Sequence, residues 1–155
     1  MTRGDRTFLD TNVLLEATDT KRALHRIAHA VVASWPEAGV DLFISGQVVR
    51  EYLVVATRPV EQNGLGLSSA DALENVRRIR SRVALCPEND AVCSLLQRLA
   101  GNLQIVGKRF HDLNLMATAI SAGLKSLITA NPTDFPPGLG LEVVPLAEAT
   151  LATPP

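Results

Sequence analysis

The sequence predicts an α/β fold, a mostly parallel central sheet flanked by helices. Short apolar runs such as Thr7-Phe8-Leu9, Leu42-Phe43-Ile44 and Leu127-Ile128-Thr129 have the length of buried strands. Between them lie longer segments whose apolar residues recur at helical spacing, and strands alternating with helices pair in parallel. The chain has 155 residues, 46% hydrophobic and 20% charged, which suits one domain able to bury a core of its own.

Each element follows from local chemistry. Thr7-Phe8-Leu9 forms a strand that ends at Asp10, and Val13-Leu14-Leu15 opens a helical turn leading into a longer segment from Lys21 to Trp35. Pro36, Gly39 and Asp41 mark a loop before the strand Leu42-Phe43-Ile44. Ser45 can cap the next helix, on which Val48, Val49, Tyr52, Leu53 and Val55 recur at helical spacing and Glu51 rides among them. The stretch from Pro59 to Leu67, with Pro, Asn and Gly, is a surface connection. Ser68 or Ser69 then starts a helix through Ala72, Leu73, Val76 and Ile79, with Arg77, Arg78, Arg80 and Arg82 near its end.

Val83-Ala84-Leu85-Cys86 reads as a third strand, and Asn89 or Asp90 caps a helix carrying Val92, Leu95, Leu96 and Leu99 that Gly101-Asn102 stops. A basic loop, Gly107-Lys108-Arg109-Phe110-His111, leads to Asp112 at the start of a helix with Leu115, Met116, Ala119 and Ile120 on one face and Gly123 at its end. Leu127-Ile128-Thr129 is the next strand. After the polar turn Asn131-Pro132-Thr133-Asp134, residues Leu141 to Val144 give a last one. The expected organisation is one domain over residues 1–150 and a loose tail at 151–155.

Composition excludes several function classes. A net charge of −1 rules out holding nucleic acid by bulk positive charge, leaving only a local basic lip. The polar start Met1-Thr2-Arg3-Gly4-Asp5-Arg6 lacks the apolar stretch of a secretory signal, and no apolar run reaches the ~18 residues of a membrane span, so a cytoplasmic protein is expected. Cys86 and Cys93 show neither zinc nor disulfide spacing and read as reduced thiols. His25 and His29 stand four apart without the Glu of an HExxH general base. Gly64-Leu65-Gly66 and Gly138-Leu139-Gly140 lack the spacing and following lysine of a nucleotide cradle and are turns.

What remains is acidic. Asp10 follows a strand, Glu51 sits mid-helix, Asp112 starts a helix, and Asp134 follows a strand with Asn131 beside it. Parallel sheets place their sites at the carboxyl ends of strands, where Asp10 and the Thr129–Asp134 turn both lie. Singly, each residue is also explained as a cap, a turn former or a solvated side chain. Together, hard oxygen groups at converging positions suit Mg²⁺ or Mn²⁺. A cation would relieve repulsion of ~3 kcal/mol per pair of charges about 5 Å apart at an effective dielectric near 20. Lys108 and Arg109, next to Asp112, can hold a phosphate backbone. The Arg77–Arg82 cluster can do the same or stay solvated at its helix end.

In order, Phe8-Leu9-Asp10-Thr11-Asn12-Val13-Leu14-Leu15, Val48-Val49-Arg50-Glu51-Tyr52-Leu53, His111-Asp112-Leu113 and Thr129-Ala130-Asn131-Pro132-Thr133-Asp134-Phe135 resemble the PIN-domain family, specifically the VapC-type toxins of bacterial toxin-antitoxin pairs. The resemblance spans nearly the whole chain, including Thr57-Arg58-Pro59 and Asn63-Gly64-Leu65-Gly66-Leu67-Ser68. It implies a single PIN-like domain acting as a metal-dependent endoribonuclease, with Asp10, Glu51 and Asp112 as ligands of Mg²⁺ or Mn²⁺. Asn131 stands where many relatives have a carboxylate, so either Asn131 through a water or Asp134 serves as the fourth group, and Thr11 and Thr129 could orient the attacking water. It further implies a VapB-like antitoxin, an RNA substrate and a homodimer. Two rivals remain. A haloacid-dehalogenase-like phosphatase also places an Asp after its first strand but needs a second Asp where this chain has Asn12; a non-catalytic module would bind RNA or antitoxin through a degenerate site.

Overall fold

A computed structural model describes residues 1–151 and shows five strands with six α-helices around them. In chain order these are β1 (Arg6–Leu9), α1 (Thr11–Thr18), α2 (His25–Ser34), β2 (Asp41–Ser45), α3 (Gly46–Thr57), α4 (Ser69–Arg80), β3 (Ala84–Cys86), α5 (Asp90–Asn102), α6 (Arg109–Ser121), β4 (Ser126–Thr129) and β5 (Glu142–Pro145). Every strand pair is parallel, so the expected mostly parallel sheet is wholly so.

The strand order is β3-β2-β1-β4-β5. From the central β1 the chain builds outward on one side through β2 and β3, then returns to build outward on the other through β4 and β5. The order therefore reverses between β1 and β4, and the crevice beyond their carboxyl ends is where open α/β sheets bind ligands. The register Leu9↔Ile128 brings Asp10, just past the end of β1, and Thr129, the last residue of β4, to that crevice.

Phe8 and Leu9 point to opposite faces of β1, and both are fully buried, so both faces of the sheet are covered. The core gathers these two with Leu14, Leu42, Ile44, Tyr52, Met116 and Ile128. Helix starts follow their capping residues: the Ser45, Ser68 and Asn89 side chains each accept backbone N–H bonds at the starts of α3, α4 and α5.

Strand ends shift by a residue from those expected, and the larger differences are in the helices. The helical turn at Val13-Leu14-Leu15 is a helix of its own, α1, and the segment expected from Lys21 to Trp35 is helical only from His25; between them the Glu16 side chain accepts the Leu24 N–H at 2.9 Å and fixes a turn. Helix α5 runs through Gly101 and Asn102 rather than stopping before them. Helix α6 begins at Arg109, which places Asp112 within its first turn instead of at its boundary. Lys108, which precedes it, makes no side-chain cap bond, so no capping residue announces that start. At its other end Gly123 takes a φ of 71°, the left-handed conformation a helix-terminating glycine adopts without strain. Of the tail expected at 151–155, Leu151 packs half-buried on the core, and Ala152–Pro155 lie outside the described residues. No described helix is long and apolar enough to cross a membrane.

Candidate active site

The crevice is built around Asp10. Its backbone N–H donates to Ile128 O at 3.0 Å, which ties it to β4, and the residue is only 8% exposed. Oδ2 accepts the Thr129 hydroxyl at 2.7 Å and the Asn12 amide. Asn12 in turn accepts the Ala130 N–H at 2.8 Å, so the residue after Thr11 clamps α1 to the loop beyond β4. The Thr129 hydroxyl, fully buried, also accepts the Asn12 amide and the Asn131 N–H, each at 3.0 Å. With one proton to give and two lone pairs, that hydroxyl is fully used in fixing the carboxylate.

Glu51 is held from both sides. Oε2 accepts the Thr11 hydroxyl at 2.7 Å, and Oε1 accepts the Gln47 amide at 2.7 Å. Gln47, one helical turn before Glu51 and buried, also donates to His111 O at 3.1 Å and accepts from Asn114 Nδ2 at 2.7 Å. Its amide thus fastens α3, which carries Glu51, to α6, which carries Asp112. Glu88 secures the start of the same helix by accepting the Gln47 N–H at 2.6 Å.

Asp112 lies half-buried in the first turn of α6 and shares a surface cleft with Lys108, Arg109, His111 and Asp134. The electrostatics join these groups. Burial is the main force raising the Asp10 carboxyl to about 6; Glu51 and Asp112 push the same way, against the Thr129 hydroxyl and the Thr11 backbone. Burial again leads in raising Asp112 to about 6, followed by the charges of Asp134 and Glu51, while His111 and Arg109 pull down. Glu51, Asp112 and Asp134 thus each raise another carboxyl of the four, and Glu51 acts on both Asp10 and Asp112.

Of the residues singled out from sequence, Asp10, Thr11, Glu51, Asp112 and Thr129 converge, and Asp134 joins them through Asp112. Lys108 and Arg109 are exposed on the rim. Asn131 is exposed; its N–H donates to the Thr129 hydroxyl and its carbonyl accepts the Asp134 N–H at 3.1 Å. The sequence offers no role in the site for Gln47 or Asn114, and marks Asn12 only as the residue standing where a phosphatase needs its second Asp. Gln47 carried one signal, a place four residues before Glu51 on the same helix face.

Other motifs find structural roles. Arg77 and Arg78 pair with Glu74, Arg80 donates to Val83 O, and Arg82 meets Ala33 O and Glu37. His25 Nδ1 lies 2.9 Å from Glu16 O. Both cysteines are free, Cys86 buried and Cys93 exposed.

Among the described residues no three His, Cys, Asp or Glu side chains stand in a ready metal cage. The donor set nevertheless fits a hard cation: the groups are carboxylate oxygens, and two of them are raised partly by repulsion from neighbouring carboxylates that a positive charge would cancel.

Comparison with known proteins agrees with the fold. Residues 7–135 match the family model described as PIN domain. A chain in the structure of VapBC2 from Rickettsia felis, bound to a DNA fragment from its promoter, is 17% identical with a TM-score of 0.67, covering 90% of this chain and 98% of that one. VapBC-1 from nontypeable Haemophilus influenzae matches at 20% identity and TM-score 0.66, over 92% of this chain and 98% of that one. A toxin-antitoxin complex from Klebsiella pneumoniae matches at 23% and 0.63, over 92% and 99%. At these identities the likeness is one of fold. No curated protein matches the sequence.

Proposed function

The chain belongs to the PIN domain family, and from that premise we propose that it is an Mg²⁺- or Mn²⁺-dependent endoribonuclease and the toxin of a VapBC-like pair, working on cytoplasmic RNA. The observation that carries the reading is the convergence of Asp10, Glu51 and Asp112 at the reversal point of the sheet, with Asp10 and Asp112 raised to about 6 by burial and by neighbouring carboxylates, Glu51 acting on both.

In this reading Asp10, Glu51 and Asp112 hold the cation, with Asp134 beside Asp112 as the fourth acidic group. When bound, such a cation supplies Lewis acidity that makes water a nucleophile at neutral pH and offsets charge on a phosphoryl oxygen. The chain's own residues prepare the site. Thr129 and Asn12 fix the Asp10 carboxylate, and Thr11 and Gln47 fix that of Glu51. We assign Thr129 to holding Asp10 rather than orienting water, because its proton and lone pairs are engaged. Lys108 and Arg109, on the rim beside Asp112, take the RNA backbone, Arg109 with the planar fork suited to phosphate.

Family membership sets the phosphatase alternative aside, and at the position where that class needs its second Asp, Asn12 bonds Asp10 and the β4 loop. A VapB-like antitoxin is the proposed partner, on the ground that the Rickettsia and Haemophilus neighbours are VapBC structures. A homodimer is proposed from the apolar side chains left exposed on α3 and α4, Val54 and Leu73. The test is incubation of the purified chain with RNA in Mg²⁺, in Mn²⁺ and in chelator. Cleavage only with a cation supports the reading, and a chain that binds RNA without cutting it under any of these would be the non-catalytic module instead.

A further inference from the structure

His111 lines two neighbouring hollows. One is the cleft with Lys108, Arg109, Asp112 and Asp134; the other is walled by Arg50, Glu51, Leu96, Phe110 and Asn114. Each hollow thus contains a carboxylate of the proposed cleavage site. Phe110 is 42% exposed and is the one aromatic among the exposed large apolar side chains of the described residues. It sits in the first turn of α6, two residues before Asp112, where its ring reaches no core. Around it the chemistry is mixed: Leu96 adds an apolar wall, and the Arg50 side chain, 68% exposed, is held by Glu88 at 3.4 Å. Asn114 spends one amide hydrogen on Gln47, and among the described residues its Oδ1 accepts nothing.

An exposed ring with a guanidinium and a half-used amide beside it, opening onto a phosphate-cutting site, has the make-up of a base-stacking platform. Single-stranded RNA is read by unstacking its bases onto aromatic faces and bonding their edges. We infer that this second hollow is a nucleobase subsite, in which the base next to the scissile phosphate stacks on Phe110 and presents an edge to Asn114. The inference rests on the ribonuclease reading and deepens it: Lys108 and Arg109 grip the backbone without regard to sequence, and Phe110 supplies the contact that requires an unpaired base.

The test is binding of fluorescein-labelled hexauridylate, hexaadenylate and a hexamer of abasic ribose phosphate, which keeps the phosphates and lacks the bases. An Asp112→Asn background prevents cutting. Stacking on one aromatic ring changes affinity by roughly 5- to 150-fold. The subsite predicts that base-bearing hexamers bind at least about fivefold tighter than the abasic one, that Phe110→Ala removes this preference while leaving abasic binding unchanged, and that Phe110→Trp keeps it. A preference that survives Phe110→Ala overturns the subsite and leaves the ribonuclease reading standing. Loss of self-association in Phe110→Ala, with abasic and base-bearing binding falling together, would assign the ring to a contact between copies and overturn it too. Failure of the unaltered chain to cut or bind any RNA would end both readings.

Discussion

Replacing Asp10 by Asn should change stability with a sign that depends on pH. The carboxyl of Asp10, a residue 8% exposed, is raised from an ordinary 3.8 to about 6. Well above that value the folded, metal-free protein therefore carries a penalty of up to about 3 kcal/mol for ionising it, at 1.36 kcal/mol for each factor of ten in acidity. The sign follows from proton counts. Between 3.8 and about 6 the folded chain binds more protons than the unfolded one, so stability is full below the unfolded value and falls as pH rises through the folded one. Asp10→Asn removes the penalty. An amide oxygen in the place of Oδ2 keeps the Thr129 and Asn12 bonds, and the neutral amide gives up the favourable pull of the Thr11 backbone on the charge, at about 1 kcal/mol. The variant should be more stable by about 1–2 kcal/mol near pH 8 in chelator, and equal or less stable near pH 4. Urea unfolding followed by the fluorescence of Trp35, the single tryptophan and 3% exposed, measures both. A difference between the two proteins that does not change from about pH 4 to about pH 8 would refute the buried, repelled carboxylate.

Three further outcomes follow from the same geometry. Asp112→Asn should abolish cleavage with folding intact; in chelator its stability should be unchanged or slightly higher than wild type, and with Mn²⁺ wild type should melt higher, because a cation bound only to the folded state stabilises it. Equal Mn²⁺-induced shifts in melting temperature would remove Asp112 from the site. Gln47→Ala should cost about 1–3 kcal/mol by leaving the Asn114 amide and Glu51 without their partner, and it should weaken Mn²⁺ affinity in calorimetric titration; unaltered affinity would count against its hold on Glu51. Thr129→Val, close to isosteric, should lower cleavage by losing the bond to Asp10, an effect visible as reduced kcat on RNA; wild-type turnover would show that Asp10 needs no such anchor.

The strands were legible because a parallel sheet covered on both faces writes itself as unbroken apolar runs, as in Phe8-Leu9 and Leu127-Ile128. Their order was not, since nothing local in Leu9 or Ile128 states that they pair across more than a hundred intervening residues. The start of α6 was hidden for a different reason: Lys108 is no capping residue, so Asp112 looked like the boundary when it lies within the first turn. Asp10, Glu51 and Asp112 could be picked out by position, but how they are held could not. Thr129 carried a hydroxyl that sequence could only offer to water, whereas in the fold it is consumed by Asp10, Asn12 and Asn131. Gln47 read as an ordinary polar position on a helix until α6 brought His111 and Asn114 against it.

The proposed chemistry is direct attack of water on phosphorus at a cation held by Asp10, Glu51 and Asp112, and the ends of the RNA fragments report it. The measurement is sequencing of both ends after cleavage by the purified chain with Mg²⁺ or Mn²⁺, with chelator as control. Fragments bearing 5′-phosphate and 3′-hydroxyl, formed only with the cation, are the predicted result. Fragments ending in 2′,3′-cyclic phosphate, or cleavage that persists in chelator, would contradict it.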